Sequence, residues 1–124
     1  MPRTILIIDD DETVAMAMLM LFKVLGYRAV AGEDLGAVCD RLGPRDEPAL
    51  LISDWHLAGA KSGADIIGDA RRRLNTEIPA ILISGDPTSA AQGTQSLSNC
   101  HVLGKPADTD ELIELVEHLL ENGP

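Results

Sequence analysis

Five short apolar runs punctuate this chain of 124 residues, and each is followed by a stretch that reads as a helix. The first run, Ile5-Leu6-Ile7-Ile8, has no polar alternation, as expected of a strand covered on both faces. Val14, Met18, Leu21, Phe22 and Leu25 then recur at helical spacing, and Gly26 ends that helix. Tyr27 to Ala31 reads as a second strand, and a weaker helix from about Asp34 to Leu42 is stopped by Gly43-Pro44. Leu50-Leu51-Ile52 is the third run. Ser62-Gly63-Ala64-Asp65 reads as a helix cap, with Ile66, Ile67, Ala70 and Leu74 on one face behind it. Pro79 breaks the chain before the fourth run, Ala80 to Ile83. The stretch from Asp86 to Asn99 is rich in Ser, Thr and Gly and predicts a short or mobile helix. Val102-Leu103 is the fifth run. Asp108 caps a last helix with Glu111 three residues on and Leu112, Ile113, Val116, Leu119 and Leu120 on its apolar face.

Alternation of this kind predicts an α/β fold, a parallel sheet with helices on both faces, because a parallel crossover needs a helix and is right-handed. No linker or repeat interrupts the pattern, so residues 1–124 read as one domain without an output module. Hydrophobic residues make up 45% of the chain but only Phe22, Tyr27 and Trp55 are aromatic, so the core is expected to be aliphatic. Met16, Met18 and Met20 alternate, and of these Met18 is assigned to the core. A net charge of -10 repels phosphate backbones and argues against direct nucleic-acid binding. The N-terminus lacks a signal-peptide pattern and no apolar stretch reaches membrane-spanning length. The expectation is a cytoplasmic protein, or the cytoplasmic part of a larger one, without direct membrane contact. Cys39 and Cys100 lack metal-ligand spacing and read as small hydrophobes in a reducing compartment.

Four of the strands end on chemistry-bearing residues. The first runs into Asp9-Asp10-Asp11, the third ends at Ser53-Asp54, the fourth at Ser84-Gly85-Asp86 and the fifth at Gly104-Lys105-Pro106. In a parallel sheet all C-terminal strand ends lie on one edge, where ligands bind. An acid after a strand is commonly a helix cap, and Asp11 reads that way. Asp54 does not, since the next cap is Ser62. Crowded carboxylates repel, by roughly 4 kcal/mol for a pair about 4 Å apart at an effective dielectric near 20. Protonation, pairing with Lys105 or a bound cation would relieve Asp9, Asp10 and Asp54, but one lysine does not neutralise three acids. A hard divalent cation with oxygen ligands does, and few protein ligands with room for water suit magnesium better than calcium. Asp54 is then a plausible nucleophile for a phosphoryl group whose oxygens meet the cation, Lys105 and Ser84.

The blocks "ILIIDDDE", "LLISDWHL", "AILISGD" and "LGKPAD", in this order and spacing, resemble the signature blocks of response-regulator receiver domains, and the likeness covers essentially the whole chain. The resemblance implies a flavodoxin-like, doubly wound (βα)5 fold with strand order 2-1-3-4-5. It implies Asp54 as phosphoacceptor, Asp10 as direct Mg2+ ligand, Asp9 as an acid holding the metal through water, and the His56 backbone carbonyl as a further ligand. It implies Ser84 as switch hydroxyl, Gly85 as the small neighbour that leaves the acceptor accessible, and Lys105 as the phosphoryl-binding lysine before a cis Pro106. Asp86 and His56 would tune the lifetime of the acyl phosphate. The implied donor is a phosphohistidine on a histidine kinase or histidine phosphotransfer domain. Gly63 falls nine residues after Asp54, a lengthened spacing that resembles the C-terminal receivers of hybrid sensor histidine kinases.

Departures from that pattern bear on signal output. Val102 stands where the family often has an aromatic residue three before the lysine, Ala107 follows Lys-Pro, and the segment before the fifth strand is poor in helix formers. An aspartyl-nucleophile phosphatase would need an acid at position 56, where His56 stands, and a dinucleotide binder would need a Gly-rich loop where Asp9-Asp10-Asp11 stands. A degenerate receiver acting as a scaffold is the remaining alternative, and the complete set of acids speaks against it. His56, His101 and His118 read as surface or packing residues, Trp55 as a partly exposed packing residue, and Arg71-Arg72-Arg73 as a solvated helix end.

Overall fold

The computed structural model describes residues 3–55, 62–105 and 108–121. The elements alternate as expected: β1 (Arg3–Ile8), α1 (Glu12–Val24), β2 (Arg28–Gly32), α2 (Leu35–Arg41), β3 (Glu47–Asp54), α3 (Gly63–Leu74), β4 (Ala80–Ser84), α4 (Pro87–Gly93), β5 (Cys100–Gly104) and α5 (Thr109–Glu121). The strands form one parallel sheet in the order β2-β1-β3-β4-β5. This is the doubly wound, flavodoxin-like arrangement, with the order reversing beside β1 and β3.

Side chains alternate across a strand, and the unbroken apolar runs feed two cores. Ile5, Ile7, Leu50, Ile52, Ile81 and Ile83 pack on one face with Phe22 of α1 and Leu112, Val116, Leu119 and Leu120 of α5. Leu6, Ile8, Leu51 and Leu82 pack on the other with Val38 of α2 and Ile66, Ile67 and Ala70 of α3. β3 starts earlier than its apolar run suggests, because Glu47 and Pro48 already pair with Arg3 and Thr4. Pro48 has no N–H to continue the ladder, and the register shifts directly afterwards, with Ile5 opposite Leu50.

The helix ends follow the sequence closely. Ser62 and Asp65 form a reciprocal capping box, Asp11 caps α1 through the amides of Thr13 and Val14, and the Asp108 carboxylate accepts from the Glu111 amide. α4 is a short helix with Asp86 as its cap and Pro87 at its start.

Two expectations need correction. Val14 and Leu25 share the helical spacing of the apolar residues in and after α1 but are 39% and 43% exposed; Ala15 and Phe22 are the buried residues, with Met18 half-buried against the core. The helix is apolar on nearly every side, so periodicity did not define its rotation, and Leu25 already lies past the last turn, before Gly26 at φ 90°. Arg71 is not solvated. Its guanidinium donates to the carbonyls of Ile78 at 3.0 Å and Ser98 at 2.7 Å, tying the end of α3 to the segments that enter β4 and β5.

A second polar staple lies at the same, N-terminal edge of the sheet. The Asp46 carboxylate accepts from the Arg28 guanidinium, the Gly43 amide at 2.7 Å and the Thr4 hydroxyl at 2.9 Å. These donors, Arg28 first, hold its carboxyl well below the usual carboxylate range. Thr4 is fully buried, so losing its acceptor leaves a stranded hydroxyl. We expect Asp46→Ala to cost about 2 kcal/mol at neutral pH, read as a lower denaturant midpoint. A depressed carboxyl contributes stability that is complete above its unfolded pKa of about 4 and is lost as pH falls towards the folded value. The gap between wild type and Asp46→Ala should therefore narrow below about pH 4; a gap independent of pH would refute this.

Candidate functional site

At the C-terminal edge of the sheet the strand ends converge as the parallel topology requires. Asp9 follows β1, is 5% exposed, and its amide donates to the Gly32 carbonyl at the end of β2. Its own carboxylate accepts from the Asp11 amide at 2.9 Å. Asp10 is exposed and Asp54, the last residue of β3, is buried. One carboxylate oxygen from each of Asp9, Asp10 and Asp54 lies within 4.8 Å of the others, which makes this, among the described residues, the one group of three or more His, Cys, Asp or Glu side chains able to share a cation.

From the far side, Lys105 reaches in after β5 and its Nζ donates to Asp54 Oδ2 at 2.9 Å. The position of Lys105 is fixed by its backbone: its amide donates to the Ser84 carbonyl at 2.8 Å, stitching the ends of β4 and β5 together. Ser84 is fully buried, and its Oγ accepts from the Asp86 amide at 2.9 Å. The end of β3 is tied down similarly, with the Trp55 amide donating to the Ile83 carbonyl at 3.0 Å and the Trp55 carbonyl accepting from the Gly63 amide at 2.9 Å.

Charge at this edge is unbalanced. Two carboxylates at 4.8 Å repel by about 3 kcal/mol at an effective dielectric near 20. Burial pushes the Asp9 carboxyl above its ordinary value, and the charges of Asp54 and Asp10 add to this; the Asp11 amide and Lys105 oppose it. Among the described residues, Lys105 is the ammonium that acts on Asp54 and Asp9. The donors are all oxygens, two of the three are buried, and Asp10 opens to solvent where water could complete a coordination shell. The residues fit a hard divalent cation. A cleft of about 960 Å³ runs from Asp54 and Lys105 between α1 and α5, past Val14, Met18 and Leu112, which accounts for the unexpected exposure of Val14.

The structure therefore brings together Asp9, Asp10, Asp54, Ser84 and Lys105. Gly85 is exposed, and a Cβ built on it would meet nothing within 4 Å. Asp86 is used in the cap of α4, where its carboxylate accepts from the Ser89 amide at 3.2 Å and the Ser89 hydroxyl at 2.8 Å. His56, Pro106 and Ala107 lie outside the described residues, so the carbonyl ligand and the cis bond expected there are not placed. His101 is half-buried on β5 and His118 exposed on α5, and Cys39 and Cys100 are free thiols. Sequence reasoning missed the clasp around the indole of Trp55, formed by Gly63 and Gly93; their spacing along the chain carries no sign of it.

Comparison with known proteins agrees with this fold. The sequence profile of the family described as "Response regulator receiver domain" matches residues 5–117. Among curated relatives, the phosphate regulon transcriptional regulatory protein PhoB of Pseudomonas aeruginosa is 26% identical over 98% of this chain and 54% of its own length. The nitrogen assimilation regulatory protein NtrX of Azorhizobium caulinodans is 25% identical over 98% of this chain and 27% of its own. The chain thus spans about half the length of the first and a smaller share of the second. A response regulator receiver protein from Pseudomonas putida superposes with a TM-score of 0.80 at 26% identity, covering 95% of this chain and 98% of that one. The receiver domain of the hybrid histidine kinase CckA does so with a TM-score of 0.72 at 26% identity, covering 94% and 98%. With the family profile spanning nearly every element of a sheet ordered β2-β1-β3-β4-β5, the chain belongs to the receiver domains of two-component response regulators.

Proposed function

We propose that this domain accepts a phosphoryl group on Asp54 from a phosphohistidine of a histidine kinase or histidine phosphotransfer domain, with Mg2+ held by Asp9, Asp10, Asp54 and the His56 backbone carbonyl. The observation that carries this reading is the Lys105 ammonium 2.9 Å from Asp54, inside a group of three carboxylates within 4.8 Å of one another. A carboxylate oxygen of Asp54 attacks phosphorus, the P–N bond to the imidazole breaks, and the imidazole leaves with the electron pair and takes up a proton. The product is an acyl phosphate. Lys105 then meets one oxygen of the transferred group, and the Ser84 hydroxyl donates to a second. The cation, when bound, supplies positive charge against the acids and the incoming phosphoryl group. Gly85 leaves the approach to Asp54 open, and Asp86 and His56 set the lifetime of the acyl phosphate. The spacing of Gly63 from Asp54, together with the likeness to the receiver of a hybrid histidine kinase, favours a module carried by a sensor kinase chain. Among the described residues no helix is long and apolar enough to cross a membrane.

Acetyl phosphate supplies the group in a simpler form, with acetate leaving, and tests the reading by intact mass. One added phosphoryl group should form with magnesium chloride present, and none without it or in Asp54→Asn. Modification that persists in Asp54→Asn would put the acceptor elsewhere. Asp10→Asn should weaken magnesium binding by at least about tenfold in a direct titration, since loss of even an outer-shell partner commonly costs that much. Unchanged affinity would remove Asp10 from the ligand set. In Lys105→Ala the phosphoryl group should still be accepted, more slowly, while the conformational response to it is lost; a full response would exclude Lys105 from the coupling.

A further inference from the structure

Trp55 directly follows the acceptor, and its backbone is held on both sides, by the Ile83 carbonyl and by the Gly63 amide. The indole cannot follow a backbone shift at Asp54 independently of β4 and the start of α3. It lies against two glycines from different helices. A Cβ on Gly63 would stand 3.0 Å from Trp55 Cε3, and a Cβ on Gly93 would stand 2.6 Å from Trp55 Cη2, closer than real side-chain carbons approach. The ring is therefore flush with the backbone at the first residue of α3 and at the last residue of α4.

The other end of α4 is tied to the same site. Asp86, its cap, donates its amide to Ser84 Oγ at 2.9 Å. α4 has seven residues, Pro-Thr-Ser-Ala-Ala-Gln-Gly, and its buried member is Ala90. Such a helix has little propensity and little buried surface of its own, so its placement depends on its two ends. One end rests on Ser84 and the other on the indole beside Asp54.

We propose that Trp55 is a positioning residue that couples the state of Asp54 to the placement of α4, through the contact of its indole with Gly93. The proposal rests on Asp54 being the phosphoacceptor. Engagement of the Ser84 hydroxyl by the phosphoryl group loosens the cap end of α4, and the indole transmits any movement at the end of β3 to the other. Val102 on β5 is half-buried against the same core cluster that Trp55 packs on.

The test is amide hydrogen exchange over residues 87–93, with and without acetyl phosphate and magnesium chloride, alongside intact mass. The proteins are wild type, Trp55→Leu, Trp55→Phe and Gly93→Ala. Exchange in α4 should change on phosphorylation of wild type. Without phosphorylation, Trp55→Leu should speed exchange in α4 by at least about tenfold, and adding the phosphoryl group should change it no further. Trp55→Phe should restore part of the response, and Gly93→Ala, which pushes the ring away, should mimic Trp55→Leu. Gly93→Ala also serves if Trp55→Leu does not fold. Because Trp55 is the single tryptophan in the chain, its emission should shift in Gly93→Ala. Phosphorylated Trp55→Leu or Gly93→Ala with a wild-type response in α4 would overturn the coupling. So would a phosphorylated wild type with no response. Absence of phosphorylation in wild type, read by mass, would instead fell the acceptor assignment and this proposal with it.

Discussion

The ion pair between Lys105 and Asp54 joins residues 51 positions apart, and it exists because the chain crosses over from β3 to β4 to β5 without reversing direction. Each crossover returns the chain to the same edge, so every loop that leaves a strand there has a neighbour from a distant part of the sequence. The pair also sets the electrostatic limits of the site. Lys105 bonds Asp54 directly and favours the charged form of Asp9 as well, while Asp54 and Asp10 oppose it. The Asp9 carboxylate accepts from the Asp11 amide at 2.9 Å, and burial outweighs that bond.

Much of this was legible in the residues because the constraints are strong. A strand with apolar residues on both sides has no solvent face, and Ile5 and Ile7 do oppose Leu6 and Ile8 across the sheet. Polar residues at the ends of such strands must then share an edge, so Asp9, Asp54, Ser84 and Lys105 were bound to approach one another. Capping signals at Ser62 and Asp108 were equally direct, since the hydrogen-bonding groups lie within three residues of each other.

Other features were hidden for equally physical reasons. α1 offers apolar residues in too many directions for sequence to select its buried side. A basic triplet at a helix end looks the same whether it meets water or protein, and the carbonyls that hold Arg71 belong to Ile78 and Ser98, on other segments. The same holds for the indole of Trp55. Its fit depends on missing Cβ atoms at Gly63 and Gly93, and a glycine that makes room for a ring reads no differently from one that turns a chain.

The two edges of the sheet differ in kind. At the edge where the strands begin, Asp46 and Arg71 are each surrounded by partners, and their charges tighten the fold. At the opposite edge the carboxylates of Asp9, Asp10 and Asp54 crowd together, and burial and like charge raise the Asp9 carboxyl. The molecule is thus polarised along its strands into a stiff base and a rim of crowded carboxylates that could hold a cation. Neutral residues in place of the rim acids would relieve that crowding and give a more durable protein.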